Sequence, residues 1–271
     1  MSLRVCSFES RRAEEMAALI RRHGGEPTIA PSMREIPLDR QDAVWEFWNQ
    51  LTAGRIDIVL LLTGVGAQAL FDVLTTRLSR EQLVEEMNRR PIFIRGPKPA
   101  AVLARWGVRI DLRAPEPNTW REVLSAIDAA GVALDGRTIA VQEYGQPNPE
   151  LYAGLESRGA QVVAVPVYRW ELPDNLEPLR SAIRTTIDGG FDVLLFTSAQ
   201  QAHHVLQVAE QLGLRDAWLA AARRAFIGSI GPTASETLRE LQLPPDGEPL
   251  HPKMGPLVAE SLAAARARRP D

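Results

Sequence analysis

Cysteine is all but missing from this chain: of its 271 residues only Cys6 is one. A single thiol excludes an internal disulfide and fits a reducing, cytoplasmic compartment. On its apolar run Cys6 reads as a small core residue. No hydrophobic run approaches the roughly 20 residues of a membrane span, and the N-terminus lacks the basic-then-apolar pattern of a secretion signal. Positive charge is not in excess either. The formal net charge is −3, so the field of the whole molecule does not point to nucleic acid, and a polyanionic ligand must be held by a local site. Metal ligands in a usable spacing are absent. His203 and His204 are neighbours, about 100° apart on a helix, a poor metal pair that reads as solvated surface.

What is present is a globular composition, 45% hydrophobic and 24% charged, long enough for one large domain or two ordinary ones. Strand and helix signals alternate along its whole length, which predicts parallel sheets covered on both faces. Leu3 to Phe8 reads as a strand, with Ser10 capping a helix whose Ala13, Met16, Ala17 and Ile20 share one face. Continuous apolar strands are expected at Ile56 to Leu62, Pro91 to Ile94, Val108 to Leu112, Thr138 to Gln142 and Gln161 to Val165. Ser79 with Gln82 and Thr119 with Glu122 form capping boxes. Trp45, Trp48 and Trp106 read as core. In the C-terminal half, strands are expected at Val193 to Phe196, Ala225 to Ile227 and near Glu248 to His251, with Thr197 and Ser198 capping the helix that starts at Gln200.

Two extended stretches interrupt this alternation. One is Ser32 to Leu38, flanked by Pro31 and Pro37. The other runs from Val165 to Leu172, where Pro166 removes a backbone donor and makes poor central-strand material. The middle section supplies five strands, and the two ends together about five more. The expected architecture is therefore α/β, two flavodoxin-like or Rossmann-like parallel-sheet domains, one inserted into the other. The first is residues 1–33 with 172–271 and the inserted one is 38–166. Segments 34–37 and 167–171 form a two-stranded connector. Tyr168 lies on it, and its side chain is expected to face a cleft without belonging to either core. Packing between domains is the other reading of this amphipathic residue.

Several strand ends turn straight into helices. Gly64 to Ala69 fits the loose dinucleotide pattern G-x-G-x-x-A, but the acidic residue expected at the end of the next strand is missing, because that strand ends at Arg95. The turns are Thr63-Gly64-Val65-Gly66, Arg95-Gly96-Pro97-Lys98, Tyr144-Gly145-Gln146-Pro147, Phe196-Thr197-Ser198 and Ile230-Gly231-Pro232-Thr233, with Val167-Tyr168 closing a strand. In this order and spacing they resemble the uroporphyrinogen-III synthase family, over nearly the whole chain.

The resemblance implies a two-domain fold with one domain inserted into the other. It also implies a lyase that converts hydroxymethylbilane to uroporphyrinogen III with loss of water and inversion of ring D, in tetrapyrrole biosynthesis and without metal or organic cofactor. Such catalysis is mainly positioning, helped by an acid at the departing hydroxyl. The family's connector Tyr is here Tyr168. The eight substrate carboxylates call for helix N-termini. The implied contacts are Ser10, Arg11, Thr63, Gly64, Val65, Gly66, Arg95, Gly96, Lys98, Tyr144, Gly145, Ser198, Ala199, Gly231, Pro232 and Thr233. The partner implied is this small molecule alone, with no nucleic acid and no membrane, acting on a monomer. One departure stands out: the family's Gly-Pro-x-Thr-Ala reads Gly231-Pro232-Thr233-Ala234-Ser235, so Thr233 or Ser235 must supply the missing hydroxyl. A second class of function, a non-catalytic regulatory module of the same fold that senses a tetrapyrrole or an anion, also fits these residues.

Overall fold

The computed structural model describes residues 2–37, 41–143, 145 and 147–268. The chain opens with β1 (Leu3–Ser7), α1 (Ala13–Arg22), β2 (Gly25–Ile29) and β3 (Arg34–Pro37). There follow α2 (Asp42–Thr52), β4 (Ile58–Leu61), α3 (Gly64–Leu74), α4 (Arg80–Asn88), β5 (Ile92–Ile94) and α5 (Pro97–Trp106). Next are β6 (Leu112–Arg113), α6 (Trp120–Ala129), β7 (Thr138–Gln142), α7 (Pro149–Glu156) and β8 (Gln161–Val165). After β9 (Tyr168–Glu171) come α8 (Glu177–Ile187), β10 (Val193–Phe196), α9 (Ala199–Gln211) and α10 (Arg215–Ala222). The last elements are β11 (Phe226–Ser229), α11 (Pro232–Glu240) and α12 (Met254–Ala267).

The chain forms two compact units: Met1–Arg34 with Glu171–Asp271, and Glu35–Trp170. In the first, four strands lie in the order β11-β10-β1-β2, all parallel. Val5 pairs with Val193 and with Pro27, and Val193 with Phe226. In the second, five parallel strands lie in the order β6-β5-β4-β7-β8. Numbered within their own units, the orders are 4-3-1-2 and 3-2-1-4-5, the flavodoxin and Rossmann arrangements respectively. β3 and β9 pair as a separate two-stranded sheet.

Period-two burial builds both cores. On β4, Val59 and Leu61 face one apolar cluster and Ile58 and Leu60 the other. On β10, Leu194 and Phe196 face α8 and α9, while Val193 and Leu195 face α12. Helices thus cover both faces of each sheet, as buried parallel strands require. Both expected capping boxes are present, at Ser79 and Thr119.

Several local expectations are corrected. The first unit has four strands, not five: the stretch at Glu248 to His251 contributes no strand, and only an isolated bridge between Gly228 and Gly247 precedes it. The strand expected at Val108 to Leu112 slips to Leu112–Arg113, because the Asp111 carboxylate accepts the Ile92 amide at 2.8 Å in place of a ladder bond. Helix α10 has no counterpart among the sequence expectations; fully buried Trp218 anchors it. Within the extended stretch Ser32 to Leu38 the strand covers Arg34–Pro37, the segment expected for the connector, and Leu38 lies outside the described residues. Trp45, Trp48 and Trp106 are partly buried against their core, with guanidiniums of Arg77 and Arg80 over the rings of Trp45 and Trp106.

Candidate functional site

Doubly wound sheets bind ligands at the carboxyl edge where strand order reverses. In the second unit that point lies between β4 and β7. Thr63, extended at φ −137°, caps α3, its Oγ1 accepting the Gly66 amide at 2.9 Å. From β7, Gln142 reaches across, and its Oε1 accepts the Thr63 amide at 3.2 Å. Gln142 lies so close over α3 that a Cβ on Gly66 would meet its Nε2 at 1.9 Å, so a side chain at position 66 would push the Gln142 amide aside. A Cβ on Gly64 would lie 2.8 Å from the Lys98 carbonyl, which brings the starts of α3 and α5 together.

Tyr168 sits beside this turn, its Oη 3.5 Å from Thr63 Oγ1. It is only 5% exposed and packs into the core of this unit. The expectation that it belongs to no core is therefore corrected: the connector strand carries Tyr168 inward, into the same cluster as Val165 and Val167. Trp170 stands 6.3 Å from it, centroid to centroid. Gly145 has φ +90°, and a Cβ there would meet the Trp170 ring at 2.7 Å, so the turn after β7 needs glycine twice over. Tyr144 lies outside the described residues. Glu143, just after β7, is a buried carboxylate that accepts the Tyr152 hydroxyl at 2.6 Å. Tyr152 is thereby structural.

The turn at Arg95 to Lys98 is poorer in amides than expected. Pro97 and Pro99 both stand in the first turn of α5 and have no N–H. Half-buried Arg95 and exposed Lys98 contribute charge there instead.

In the first unit strand order reverses between β1 and β10. Here Glu9, buried, already occupies the start of α1: its Oε1 accepts the amides of Arg11 and Arg12 at 3.1 and 3.0 Å. Ser10 is not the cap; its Oγ accepts the Met33 amide at 3.2 Å. The anion seat expected at Ser10 and Arg11 is thus filled by the protein's own carboxylate, which also accepts the Thr197 hydroxyl. In the first turn of α9, Gln201 Oε1 accepts the amide of Thr197, four residues before it, at 2.8 Å. The two units therefore repeat one device: a glutamine holding the amide of the threonine that follows a central strand. Ser198 stands at the N-cap of α9 without a side-chain cap bond, and Ala199 opens the helix.

Gly231 and Pro232 open α11, with Thr233 exposed beside them. Ala234 and Ser235 are buried, and Ser235 donates to Glu248. Of the two stand-ins for the missing hydroxyl, only Thr233 can reach a ligand. His204 is corrected too. It is 5% exposed rather than solvated, its Nδ1–H donating to the Ser32 carbonyl at 2.7 Å. Burial pushes its pKa below the ordinary value. Burial likewise pushes the Cys6 thiol up, which keeps it inert. No helix among the described residues is long and apolar enough to cross a membrane.

Two doubly wound parallel sheets, one unit inserted in the other, with helix starts gathered at each carboxyl edge, define a two-unit α/β protein. The chain belongs to the uroporphyrinogen-III synthase family: the family described as Uroporphyrinogen-III synthase HemD matches residues 14–259. Among relatives, Bacillus subtilis YjjA, an uncharacterized protein, is 24% identical over 258 residues, covering 95% of this chain and 94% of its own. A crystal structure of a mutant uroporphyrinogen III synthase from Thermus thermophilus matches 99% of this chain and 100% of its own with TM-score 0.74 at 24% identity. The wild-type Thermus thermophilus enzyme in a second crystal form matches 98% and 99% with TM-score 0.58 at 25% identity.

Proposed function

We propose that this protein is a uroporphyrinogen-III synthase, a lyase that closes hydroxymethylbilane to uroporphyrinogen III with loss of water and inversion of ring D. The observation that carries the reading is the family match over residues 14–259. The geometry supports it at the carboxyl edges. The starts of α3 and α9, at Gly64 and Val65 and at Ala199, present first-turn amides that a helix cannot itself satisfy. Such amides suit the substrate carboxylates. Arg95 and Lys98 add charge, and Gly145, Ser198 and Thr233 line the same edges of their units. Gly66 serves as the seat of Gln142, and Gly96, Gly231 and Pro232 shape their turns.

Tyr168 is the proton donor in this reading. Its hydroxyl proton passes to the departing hydroxyl, the carbon–oxygen bond breaks and water leaves. The substituted carbon of ring D then attacks, its bond to the bridge from ring C breaks and that bridge re-forms at the free α-carbon of ring D, and the proton lost from that carbon restores the acid. The enzyme works in the cytoplasm as a monomer, with no resident cofactor.

Burial of both Tyr168 and Ala234 favours one competing reading, a regulatory module that binds a tetrapyrrole without turning it over. Incubation with enzymatically generated hydroxymethylbilane decides between them. A synthase yields mostly isomer III. A sensor leaves the spontaneous, uninverted isomer I as the product.

A further inference from the structure

Of 31 lysine and arginine residues in this chain, only Lys98 and Lys253 are lysines. Both follow a proline, both are exposed, and both stand where a helix begins: Lys98 in the first turn of α5 and Lys253 at the N-cap of α12. A cation there is repelled by the positive end of the helix dipole, so neither position serves its helix. Lys98 is among the substrate contacts proposed above. Lys253 is its unassigned counterpart in the other unit.

The segment that carries Lys253 is held firmly yet presents an apolar side chain to water. Asp246 Oδ2 accepts the Ile227 amide at 2.8 Å, and the Gly247 carbonyl accepts the Ser229 amide at 2.9 Å. Glu248 accepts the Ser235 hydroxyl, and Pro249 is buried. Because Gly247 bridges in parallel to Gly228, the residues after it run past the carboxyl end of β11. A Cβ on Gly231 would lie 3.1 Å from Pro252 Cβ, which sets this segment against the start of α11. Between the two prolines, Leu250 is 87% exposed. A flexible loop could fold such a side chain away. This one is braced at both ends, and it stands beside the Gly231 to Thr233 turn.

We propose that Lys253 and Leu250 form a substrate contact of the first unit, the ammonium taking a carboxylate and the leucine one face of a pyrrole ring. The ligand class is an acidic tetrapyrrole, and the proposal rests on the synthase reading for its identity. Apolar flat rings edged by carboxylates are what a leucine next to a lysine complements.

The test uses the full chain and uroporphyrin I, a stable octacarboxylate tetrapyrrole, titrated by fluorescence quenching. Lys253→Glu is expected to weaken binding about tenfold while raising Tm by about 1–3 °C, since an acid suits a helix start. Leu250→Ser is expected to weaken it about threefold. Arg22→Glu, the same charge change in the last turn of α1, controls for long-range electrostatics. A merely structural lysine would not move affinity and Tm in opposite directions. Affinity in Lys253→Glu equal to that in Arg22→Glu overturns the proposal, even where the wild type forms isomer III. Weakened binding in Lys253→Glu, with no isomer III from the wild type, upholds the contact and removes the synthase reading. A wild type that binds no uroporphyrin I overturns the contact, whichever isomer it forms.

Discussion

Tyr168 is the residue on which the proposed chemistry turns. Thr63 Oγ1 commits one lone pair to the Gly66 amide, so its own proton can point at Tyr168 Oη, 3.5 Å away. In that orientation the phenol accepts from Thr63, and in the proposed reaction it donates to the departing oxygen. At an ordinary pKa near 10 a tyrosine is a donor at neutral pH. Tyr168→Phe keeps the buried ring and removes only the hydroxyl. Turnover is expected to fall by about 10²–10⁴-fold, with unfolding free energy within about 1 kcal/mol of the parent. The product formed enzymatically stays isomer III, because ring inversion depends on how carboxylate contacts fold the substrate. Single-turnover kinetics with isomer analysis checks both halves, and near-normal turnover would make Tyr168 a packing residue.

Among the elements, α1 and α9 show how a helix end is committed. Glu9 satisfies two amides at the start of α1 and the Thr197 hydroxyl in one stroke. Glu9→Ala is expected to cost about 2 kcal/mol, two turn amides left without their acceptor together with an orphaned hydroxyl, as read by urea denaturation. The first half of α9 also anchors the chain leaving the first unit, through His204 and the Ser32 carbonyl. Burial, with the neighbouring His203 adding to it, holds the His204 pKa below its ordinary value, against the opposing bond to Ser32. The unfolded chain therefore takes up a proton before the native one does. Stability should be full above the ordinary histidine pKa of about 6.5 and should fall as pH drops through it. In His204→Asn this part of the slope should vanish. Urea melts at several pH values between about 7 and 5 measure it, and identical slopes in both proteins would refute it.

At the scale of the whole molecule, the second unit is one continuous stretch. Its five strands and both apolar clusters come entirely from Glu35–Trp170. A unit with its own doubly covered sheet can in principle fold alone. Residues 35–170 expressed by themselves are expected to melt in one cooperative transition. A gradual, non-cooperative loss of ellipticity on heating would show that the unit needs the rest of the chain. The first unit has no such autonomy in sequence, since β1 and β2 reach β10 only after the whole inserted stretch.

The sequence by itself determined the α/β class, the parallel sheets, both capping boxes and the strand-to-helix turns. Each rests on neighbours in the chain: a two-residue period for strands, a 3.6-residue period for helices, and a side chain reaching three residues ahead. The tertiary structure decided the commitments of polar groups. That Glu9 rather than Ser10 serves α1 follows from Thr197 lying beside it across the sheet. That Gln142 holds the Thr63 amide depends on a strand end and a helix start that only the folded sheet brings together. The burial of His204 against Ser32, and of Tyr168 against its own unit, joins residues far apart in sequence. A polar side chain on an amphipathic element reads alike whether water or a distant carbonyl satisfies it, and only packing chooses between them.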